Sequence, residues 1–289
     1  MPELPEVESL RRSLEPLVSG RRVVSVEILR LGVARLGTSQ TRRGACKPHE
    51  RATPTQLLAG RVITGILRRG KQLLITSDGS ACVMVSLGMT GSLRVGKAGP
   101  GVEKKKIEPH THVLWRMEGD ATMTFIDPRR FGGLWTYPSK DDAIRDAWQD
   151  LGPDATSITA EQLASGFEGR TRNLKSVLMD QGVLAGLGNI YVDEALFEAG
   201  LSPHTPAGKL RAAELDRLAV SIRTILQRAI DAGGSTLRDY VDASGQRGGF
   251  QAQHRVYGRS GLPCVTCGRA LSSAKIGGRM TVWCAGCQG

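Results

Sequence analysis

Four cysteines near the carboxyl end constrain the fold of this chain more than any other feature. They form two C-x-x-C pairs, Cys264 with Cys267 and Cys284 with Cys287, separated by sixteen residues. Each pair can present two thiolates from one tight turn, and a hairpin of this length brings both pairs around one tetrahedral zinc ion. Four protein ligands leave no open coordination position, so the spacing predicts one structural zinc.

The charge of the chain is strongly positive and unevenly distributed. The 289 residues include 39 Lys+Arg and 28 Asp+Glu, a net charge of +11. Residues 21–71 hold twelve basic and two acidic residues, and residues 249–289 hold five basic residues and no acidic one. This excess predicts a polyanionic partner. No apolar run is long enough to span a membrane and the first residues are acidic, so we expect a cytoplasmic protein without a signal peptide.

The first half of the chain predicts a β-rich domain that follows one helix. The helix is expected over residues 2–19, because Pro2 and Pro5 suit a first helical turn and Gly20 suits its end. Residues 31–55 show no period and are predicted to form a basic surface loop. Runs of alternating or β-branched residues predict strands at 23–29, 61–66, 72–76, 81–86, 92–95, 112–117 and 122–126.

The second half has a helical pattern. Apolar residues from Leu215 to Ile230 recur at i, i+3 and i+4, ahead of two glycines. Residues 174–197 indicate two helices joined by a turn, with Asn189 placed to cap the second. The turn amides and Asn189 could hold a DNA phosphate, and plain helix packing is the alternative. We expect a β domain over 1–137, a linker over 138–150, a helical domain over 151–248 and a zinc-binding segment over 249–289.

The amino terminus carries groups suited to nucleophilic chemistry. Removal of Met1 would expose the secondary amine of Pro2 with Glu3 beside it. An α-amino group has a pKa of about 8, so part of it is neutral at neutral pH and can attack an electrophilic sugar carbon. A neighbouring carboxyl could protonate the oxygen that departs. An ordinary helix start rich in proline and glutamate is the alternative.

Two further segments hold side chains that could enter a base stack. Residues 127–133 contain Arg129 and Phe131, and residues 87–91 contain Met89 between glycines. Such residues at loop tips can wedge into DNA where a base has been displaced. Each of them is also common in cores and at surface rims.

Taken together, these motifs resemble the formamidopyrimidine-DNA glycosylase family along nearly the whole chain. The resemblance implies an α+β multidomain fold with an N-terminal β-sandwich, a helix-two-turn-helix domain and a C-terminal zinc ribbon. It implies removal of oxidised purines, such as 8-oxoguanine and formamidopyrimidines, followed by strand cleavage through β,δ-elimination. The segments that carry it are 2–8, 70–71, 87–91, 127–132, 178–181, 186–191, 236–240, 256–259 and the cysteine pairs with 277–279.

The resemblance also implies the catalytic residues. Pro2 would be the nucleophile that attacks the anomeric carbon of deoxyribose, and Glu3 would be the acid that helps open the sugar ring. Glu6 would be a supporting carboxylate. Lys71 would contact the phosphates around the lesion.

The remaining assignments concern DNA. Asn189 and Arg279 would contact phosphates. Met89, Arg129 and Phe131 would fill the gap left by the everted nucleotide, and Arg129 would face the orphaned base. The implied partner is therefore damaged double-stranded DNA, bound by a monomer associated with the nucleoid. One zinc ion is expected and no organic cofactor.

Some positions depart from the family pattern. Ser86, Ser176 and Gly249 stand where the family usually has histidine, proline and an aromatic residue, and residues 31–55 resemble an insertion. These departures bear on DNA affinity and lesion range. Residues 235–259 resemble the lesion-capping loop of the family, which favours oxidised purines.

Two other functions compete with this interpretation. An enzyme of the same fold could prefer oxidised pyrimidines, as endonuclease VIII-like members do. A catalytically silent zinc-ribbon DNA-binding protein would keep the helix hairpin and the cysteines, but it would have no need of a secondary amine beside an acid.

Overall fold

The structure is a computed structural model that describes residues 2–37, 48–97, 107–237 and 240–289. The chain divides into two compact units. The first comprises Met1–Pro2, Glu6–Gln149 and Thr236–Gly248. The second comprises Glu3–Pro5, Asp150–Ser235 and Gly249–Gly289.

The predicted amino-terminal helix is confirmed as α1, Leu4–Val18. Its apolar side chains at helical spacing, Val7, Leu10 and Leu14, are almost fully buried in the core of the first unit. This stripe stabilises the helix, since packing of an apolar face contributes more than intrinsic propensity. Beyond the helix, Gly20 has a φ of +79°, a left-handed conformation that suits the end of a helix.

The first unit contains two sheets around one buried core, as predicted for a β-sandwich. The four-stranded sheet has the order β1-β7-β8-β6 and the five-stranded sheet the order β2-β9-β5-β4-β3. All neighbours are antiparallel except β2 and β9. The strands are β1 Val23–Ile28, β2 Ala34–Leu36, β3 Ile63–Arg69, β4 Gln72–Ser77, β5 Cys82–Ser86, β6 Ser92–Lys97, β7 Thr111–Met117, β8 Ala121–Ile126 and β9 Gly133–Tyr137.

The prediction that residues 31–55 form a loop is wrong in part. Strand β2 lies within this segment and pairs in parallel with β9, from Ala34 opposite Leu134 to Leu36 opposite Thr136. Three residues are too few to show a period, so only the partner strand defines β2. Residues 38–47, which include Cys46, lie outside the described residues.

Short helical segments follow β9 and complete the first unit. Helix α2 spans Lys140–Ala143 and continues as a π-helical turn, Ile144–Trp148. Ser139 caps α2 by accepting the N–H of Asp142 at 3.1 Å. The indole N–H of Trp148 donates to Gln72 Oε1 at 2.9 Å and ties this segment to β4.

The second unit is built on helices, as predicted. They are α3 Ala160–Phe167, α4 Leu174–Leu178, α5 Asn189–Ala199 and α6 Ala212–Asp231. The predicted stripe on α6 is buried, including Leu218, Ile222 and Ile225. Among the described residues, none of the helices combines the length and apolar character needed to cross a membrane.

The carboxyl-terminal residues of the second unit form an antiparallel hairpin of β10, Ser272–Ile276, and β11, Arg279–Trp283. A small buried core joins the hairpin to α5 and to the cysteine turns, and it is formed by Phe197, Val256, Cys264, Leu271, Val282 and Cys284. Two of the four cysteines are part of this core, so ligand positions and packing depend on each other.

Candidate active site and DNA-contact residues

The carboxylate of Glu3 caps the amino terminus of α5. Its Oε1 accepts the N–H of Ile190 at 3.0 Å and its Oε2 accepts the N–H of Tyr191 at 3.4 Å, across 187 and 188 residues of chain. The Glu3 residue is 2% exposed. The first N–H groups of a helix lack intrahelical partners and carry partial positive charge, so they favour an anion. Helix α5 therefore holds the carboxylate that follows Pro2 in the chain.

Glycines in the turn before α5 allow this close approach. A Cβ on Gly188 would lie 2.4 Å from the carboxyl carbon of Glu3, and one on Gly186 would lie 2.3 Å from Leu4 Cδ1. The N–H of Leu4 also donates to Gly186 O at 3.1 Å. The turn that joins α4 to α5 is thus the binding site for residues 3 and 4.

The prediction that Asn189 caps α5 is wrong. Asn189 is the first helical residue, and Gly188 before it makes no side-chain cap. Because Glu3 already occupies the helix terminus, the Asn189 side chain is directed elsewhere, and its Nδ2 donates to Met280 O at 3.0 Å. Met280 follows Arg279 in β11, where Arg279 is exposed. The structure thus brings Asn189 beside the strand that carries Arg279.

A buried ion pair lies next to this contact. Lys175 Nζ is 2.7 Å from Asp193 Oδ1 and also donates to Met280 O at 3.1 Å, while Asp193 Oδ2 accepts the N–H of Val282 at 3.1 Å. Burial raises the pKa of Asp193 to about 6 and lowers that of Lys175, and their mutual attraction opposes both shifts. The pair joins α4, α5 and β11. The sequence does not indicate this pair, because both residues fit the pattern of ordinary polar positions on a helix.

Glu194, the residue after Asp193, is also buried and holds a second backbone segment. Its carboxylate accepts the N–H groups of Arg255, Val256 and Tyr257, at distances from 2.8 to 3.1 Å. Burial raises the pKa of Glu194, and the three N–H groups oppose that shift. This anchor was not predicted from the sequence either. The available signal was two consecutive acids among the apolar and aromatic residues from Ile190 to Phe197.

In the first unit, the predicted residues Pro2 and Glu6 are buried. The carbonyl of Glu6 accepts the hydroxyl of Tyr240 at 2.8 Å, and burial, with the charge of Glu6 second, raises the pKa of that phenol. Contact of Tyr240 with this carbonyl fixes the first turn of α1 beside Pro2.

Lys71 is half-buried in the turn between β3 and β4. Arg68 fixes this turn, since it donates to Gly70 O at 3.1 Å and to Glu8 Oε2 at 3.0 Å. Burial raises the pKa of Glu8, but its arginine partners, Arg11 first, outweigh that effect and hold it below its usual value. The carboxylate of Glu8 therefore stays charged and keeps Arg68 beside the backbone of the Lys71 turn.

The three predicted wedge residues are exposed in the first unit. Met89 is 38% exposed and Phe131 is 57% exposed. The guanidinium carbon of Arg129 lies 4.7 Å from the centroid of the Phe131 ring, a cation–π arrangement. Exposed apolar side chains of this size on loop tips are available to a ligand.

The segment that resembles a lesion-capping loop, 235–259, makes contacts within each unit through its described residues. In the first unit, Ala243 is 1% exposed, its N–H donates to Ser13 Oγ at 3.1 Å and its carbonyl accepts the N–H of Val95 at 3.0 Å. In the second unit, Ser235 and Gly249 form an antiparallel bridge.

The four cysteines fit a zinc ion. Their Sγ atoms all lie within 4.8 Å of one another, with Cys264 and Cys287 3.9 Å apart and Cys267 and Cys284 3.4 Å apart. Zinc–sulfur bonds of about 2.3 Å in a tetrahedron place sulfur atoms about 3.8 Å apart. Within the described ranges, no other group of His, Cys, Asp or Glu side chains meets the same test.

Known families and proteins match nearly the whole chain. Residues 1–134 match the formamidopyrimidine-DNA glycosylase N-terminal domain, residues 151–241 match the formamidopyrimidine-DNA glycosylase H2TH domain, and residues 261–289 match the zinc finger found in FPG and IleRS. The formamidopyrimidine-DNA glycosylase of Stenotrophomonas maltophilia is 43% identical over 100% of both chains. That of Moorella thermoacetica is 40% identical over 95% of both.

Solved structures agree with these matches. The crystal structure of the MutM (Fpg) protein from Thermus thermophilus is similar with a TM-score of 0.81 and 39% identity, covering 99% of this chain and 98% of that chain. Wild-type Lactococcus lactis Fpg in complex with DNA that contains N7-benzyl-Fapy-dG gives a TM-score of 0.84 and 32% identity, covering 99% of both chains.

Proposed function

Because the chain belongs to the formamidopyrimidine-DNA glycosylase family, we propose that Pro2 is its nucleophile and that Glu3 is the acid beside it. The enzyme is a DNA-repair glycosylase with lyase activity at abasic sites, and it removes oxidised purines from damaged DNA. We propose that it acts at the nucleoid, as a monomer.

The observation that carries the residue assignment is the position of Glu3. A carboxylate that is 2% exposed and accepts two helix N–H groups has one fixed orientation. The amine of Pro2 is one residue away in the chain. An ordinary helix start would have its first carboxylates in solvent, whereas the Glu3 carboxylate accepts the N–H of Ile190, which lies 187 residues later in the chain.

The proposed reaction begins at the Pro2 nitrogen. Its lone pair attacks C1′ of the lesion nucleotide, the N-glycosidic bond breaks, and the base leaves with the electron pair of that bond and takes up a proton from water. The Glu3 carboxylate accepts the proton that the Pro2 nitrogen loses and gives it to O4′ as the sugar ring opens, and an iminium remains between Pro2 and C1′. The iminium makes the C2′ proton acidic. Its removal expels the 3′ phosphate, and a second elimination expels the 5′ phosphate.

Phosphate contacts are assigned to Lys71, Asn189 and Arg279. Lys71 stands on a turn that Arg68 fixes, and Asn189 adjoins the strand that begins with Arg279. Cationic and amide donors on fixed backbone suit phosphate oxygens, which position DNA without reading its sequence. Zinc, when bound by the four cysteines, is structural and supports the hairpin of Arg279.

Borohydride trapping tests this proposal. Protein with a processed amino terminus, verified by intact mass, is incubated with a duplex that contains 8-oxoguanine opposite cytosine, reduced and digested. We expect one covalent adduct, on Pro2. A matched preparation that retains Met1 has the same fold but a blocked Pro2 nitrogen, and it should give no adduct.

Two outcomes would contradict the assignment. An adduct on a lysine would place the nucleophile elsewhere, and excision of 8-oxoguanine without any adduct would exclude imine chemistry. Glu3→Gln separates the acid from the nucleophile, because the amide oxygen still accepts one helix N–H but the side chain has no proton to give to O4′. This variant should excise the base much more slowly and still bind the duplex.

A further inference from the structure

We propose that the Thr90 hydroxyl and the Asp127 carboxylate form a clamp that fixes the two loops of the wedge residues relative to each other. The clamp consists of these two side chains, and both act as positioning residues for base eversion. The inference rests on the proposed function, since it requires that Met89, Arg129 and Phe131 enter the DNA stack.

Thr90 joins the two loops because its hydroxyl group both donates and accepts a hydrogen bond. The hydroxyl donates to Asp127 Oδ1 at 2.6 Å, and its oxygen accepts the N–H of Arg129 at 3.2 Å. Thr90 directly follows Met89 in the chain. One side-chain oxygen therefore connects the backbone of the Met89 loop to the backbone of the Arg129 loop.

Asp127 fixes the second loop at both of its ends. Its Oδ2 accepts the N–H of Gly132 at 2.7 Å, and its carbonyl accepts the N–H of Arg130 at 3.2 Å. The residue is 1% exposed, and its carbonyl also accepts from His112 Nε2 at 2.8 Å. Hydrogen bonds to a buried carboxylate are short and stronger than those between neutral groups. The tip formed by Arg129 and Phe131 is therefore tied to one buried residue, Asp127.

The two loops also meet backbone to backbone. A Cβ on Gly88 would lie 2.4 Å from Gly132 N, and a Cβ on Gly132 would lie 2.5 Å from Ser86 O. Arg130 has a φ of +57°, a left-handed conformation that a non-glycine residue keeps only where its surroundings impose it. The two loops are thus closely packed, and the side chains of Thr90 and Asp127 add hydrogen bonds to this packing.

Through this arrangement, the exposed wedge side chains are held in position before DNA binds. Eversion of a base costs on the order of a few kcal/mol, so side chains that fill the gap must be in place when the stack opens. Loops ordered in advance avoid the entropy loss that ordering on binding would add. Loss of the clamp should therefore slow steps that require a wedge and spare steps that do not.

The test compares Thr90→Val with Thr90→Ser. Valine keeps the size of threonine and removes the hydroxyl, whereas serine keeps the hydroxyl. Under single-turnover conditions with an 8-oxoguanine:cytosine duplex, we expect Thr90→Val to excise about tenfold more slowly, equivalent to about 1.4 kcal/mol. Thr90→Ser should stay within about twofold of wild type. Thr64→Val serves as the matched control, because it removes a hydroxyl that pairs with Thr76 on the neighbouring strand of the same unit.

Two further readouts separate positioning from folding and chemistry. Cleavage of a single-stranded oligonucleotide with an abasic site needs no wedge, so it should be unchanged in Thr90→Val. Fluorescence of 2-aminopurine beside the lesion reports unstacking, and its rise should be slower in Thr90→Val and normal in Thr90→Ser.

The proposal is overturned if Thr90→Val excises from the duplex at the wild-type rate, or if it loses duplex and single-stranded activities equally. Failure of the proposed function would look different, because the wild-type enzyme would then form no adduct at Pro2.

Discussion

The ammonium group of Lys175 lies 2.7 Å from the carboxylate of Asp193, and neither side chain is exposed to solvent. Asp193→Asn would leave a buried cation without its counter-charge, so we expect the protein to lose about 3–5 kcal/mol of unfolding free energy. Urea denaturation followed by circular dichroism measures this loss. Asp216→Asn, which changes an exposed acid on α6, should alter stability by less than about 0.5 kcal/mol.

The same substitution should weaken DNA binding, because Lys175 and Asp193 hold Met280 and Val282 of the strand that begins with Arg279. Partial recovery of stability in a Lys175→Met, Asp193→Asn double variant would show that the unpaired charge is the cause. If Asp193→Asn were as stable as wild type, the ion pair would contribute nothing to the free energy of unfolding.

Gly188→Ala tests the position of the Glu3 carboxylate. The new Cβ would fall 2.4 Å from the Glu3 carboxyl carbon, while the φ of −139° at this position suits alanine. We expect base excision to fall at least about tenfold, since a displacement of about 1 Å at a reacting group costs that or more. Gly182→Ala is the control, because its Cβ would meet atoms only at 3.4 Å and beyond. Normal excision by Gly188→Ala would argue against a catalytic role for this placement of Glu3.

Zinc content is expected at one ion per chain. Cys267→Ser should lower the zinc measured by inductively coupled plasma mass spectrometry and weaken DNA binding, because structural zinc sites contribute folding energy directly. Cys82→Ser should keep the full zinc content, since Cys82 is far from the cluster in sequence and donates to Ser139 O. Stoichiometric zinc in purified Cys267→Ser would exclude this cysteine as a ligand.

Acid should destabilise the fold through His254. Burial lowers the pKa of His254 from 6.5 to about 4, so the unfolded chain takes up a proton between these values and the folded chain does not. Stability is therefore expected to decrease as the pH falls through 6.5, with a loss of about 1–2 kcal/mol between pH 7 and pH 5. His254→Gln removes this group, so urea midpoints at the two pH values should differ less than in wild type. An unchanged difference would assign the acid sensitivity to other groups.

Much of the architecture could be predicted because it follows from local patterns. Helix α1 and the stripe of α6 show helical spacing, and the strands from β3 to β8 show apolar runs between turns. The cysteine spacing predicted the cluster found in the structure. Strand β2 could not be predicted, because three residues acquire their conformation from β9, about a hundred residues later.

The parts of the site that were missed all depend on distant partners. The cap of α5 comes from Glu3 and not from the adjacent Asn189. Lys175 and Asp193 have opposite charges but lie 18 residues apart in the chain. Residues at this separation do not contact each other on one helix. Thr90 and Asp127 lie within motifs that are visible in the sequence, but their hydrogen bond depends on the three-dimensional positions of the ends of β5 and β8.

The contact of Glu3 with α5 has a consequence for synthesis on the ribosome. The N–H groups of Ile190 and Tyr191 leave the exit tunnel 187 and 188 residues after Glu3. At about 5–20 residues per second, this interval lasts roughly 10–40 s. During that time Glu3 has no α5 to cap, so its carboxylate acquires a fixed position only after Tyr191 has been synthesised.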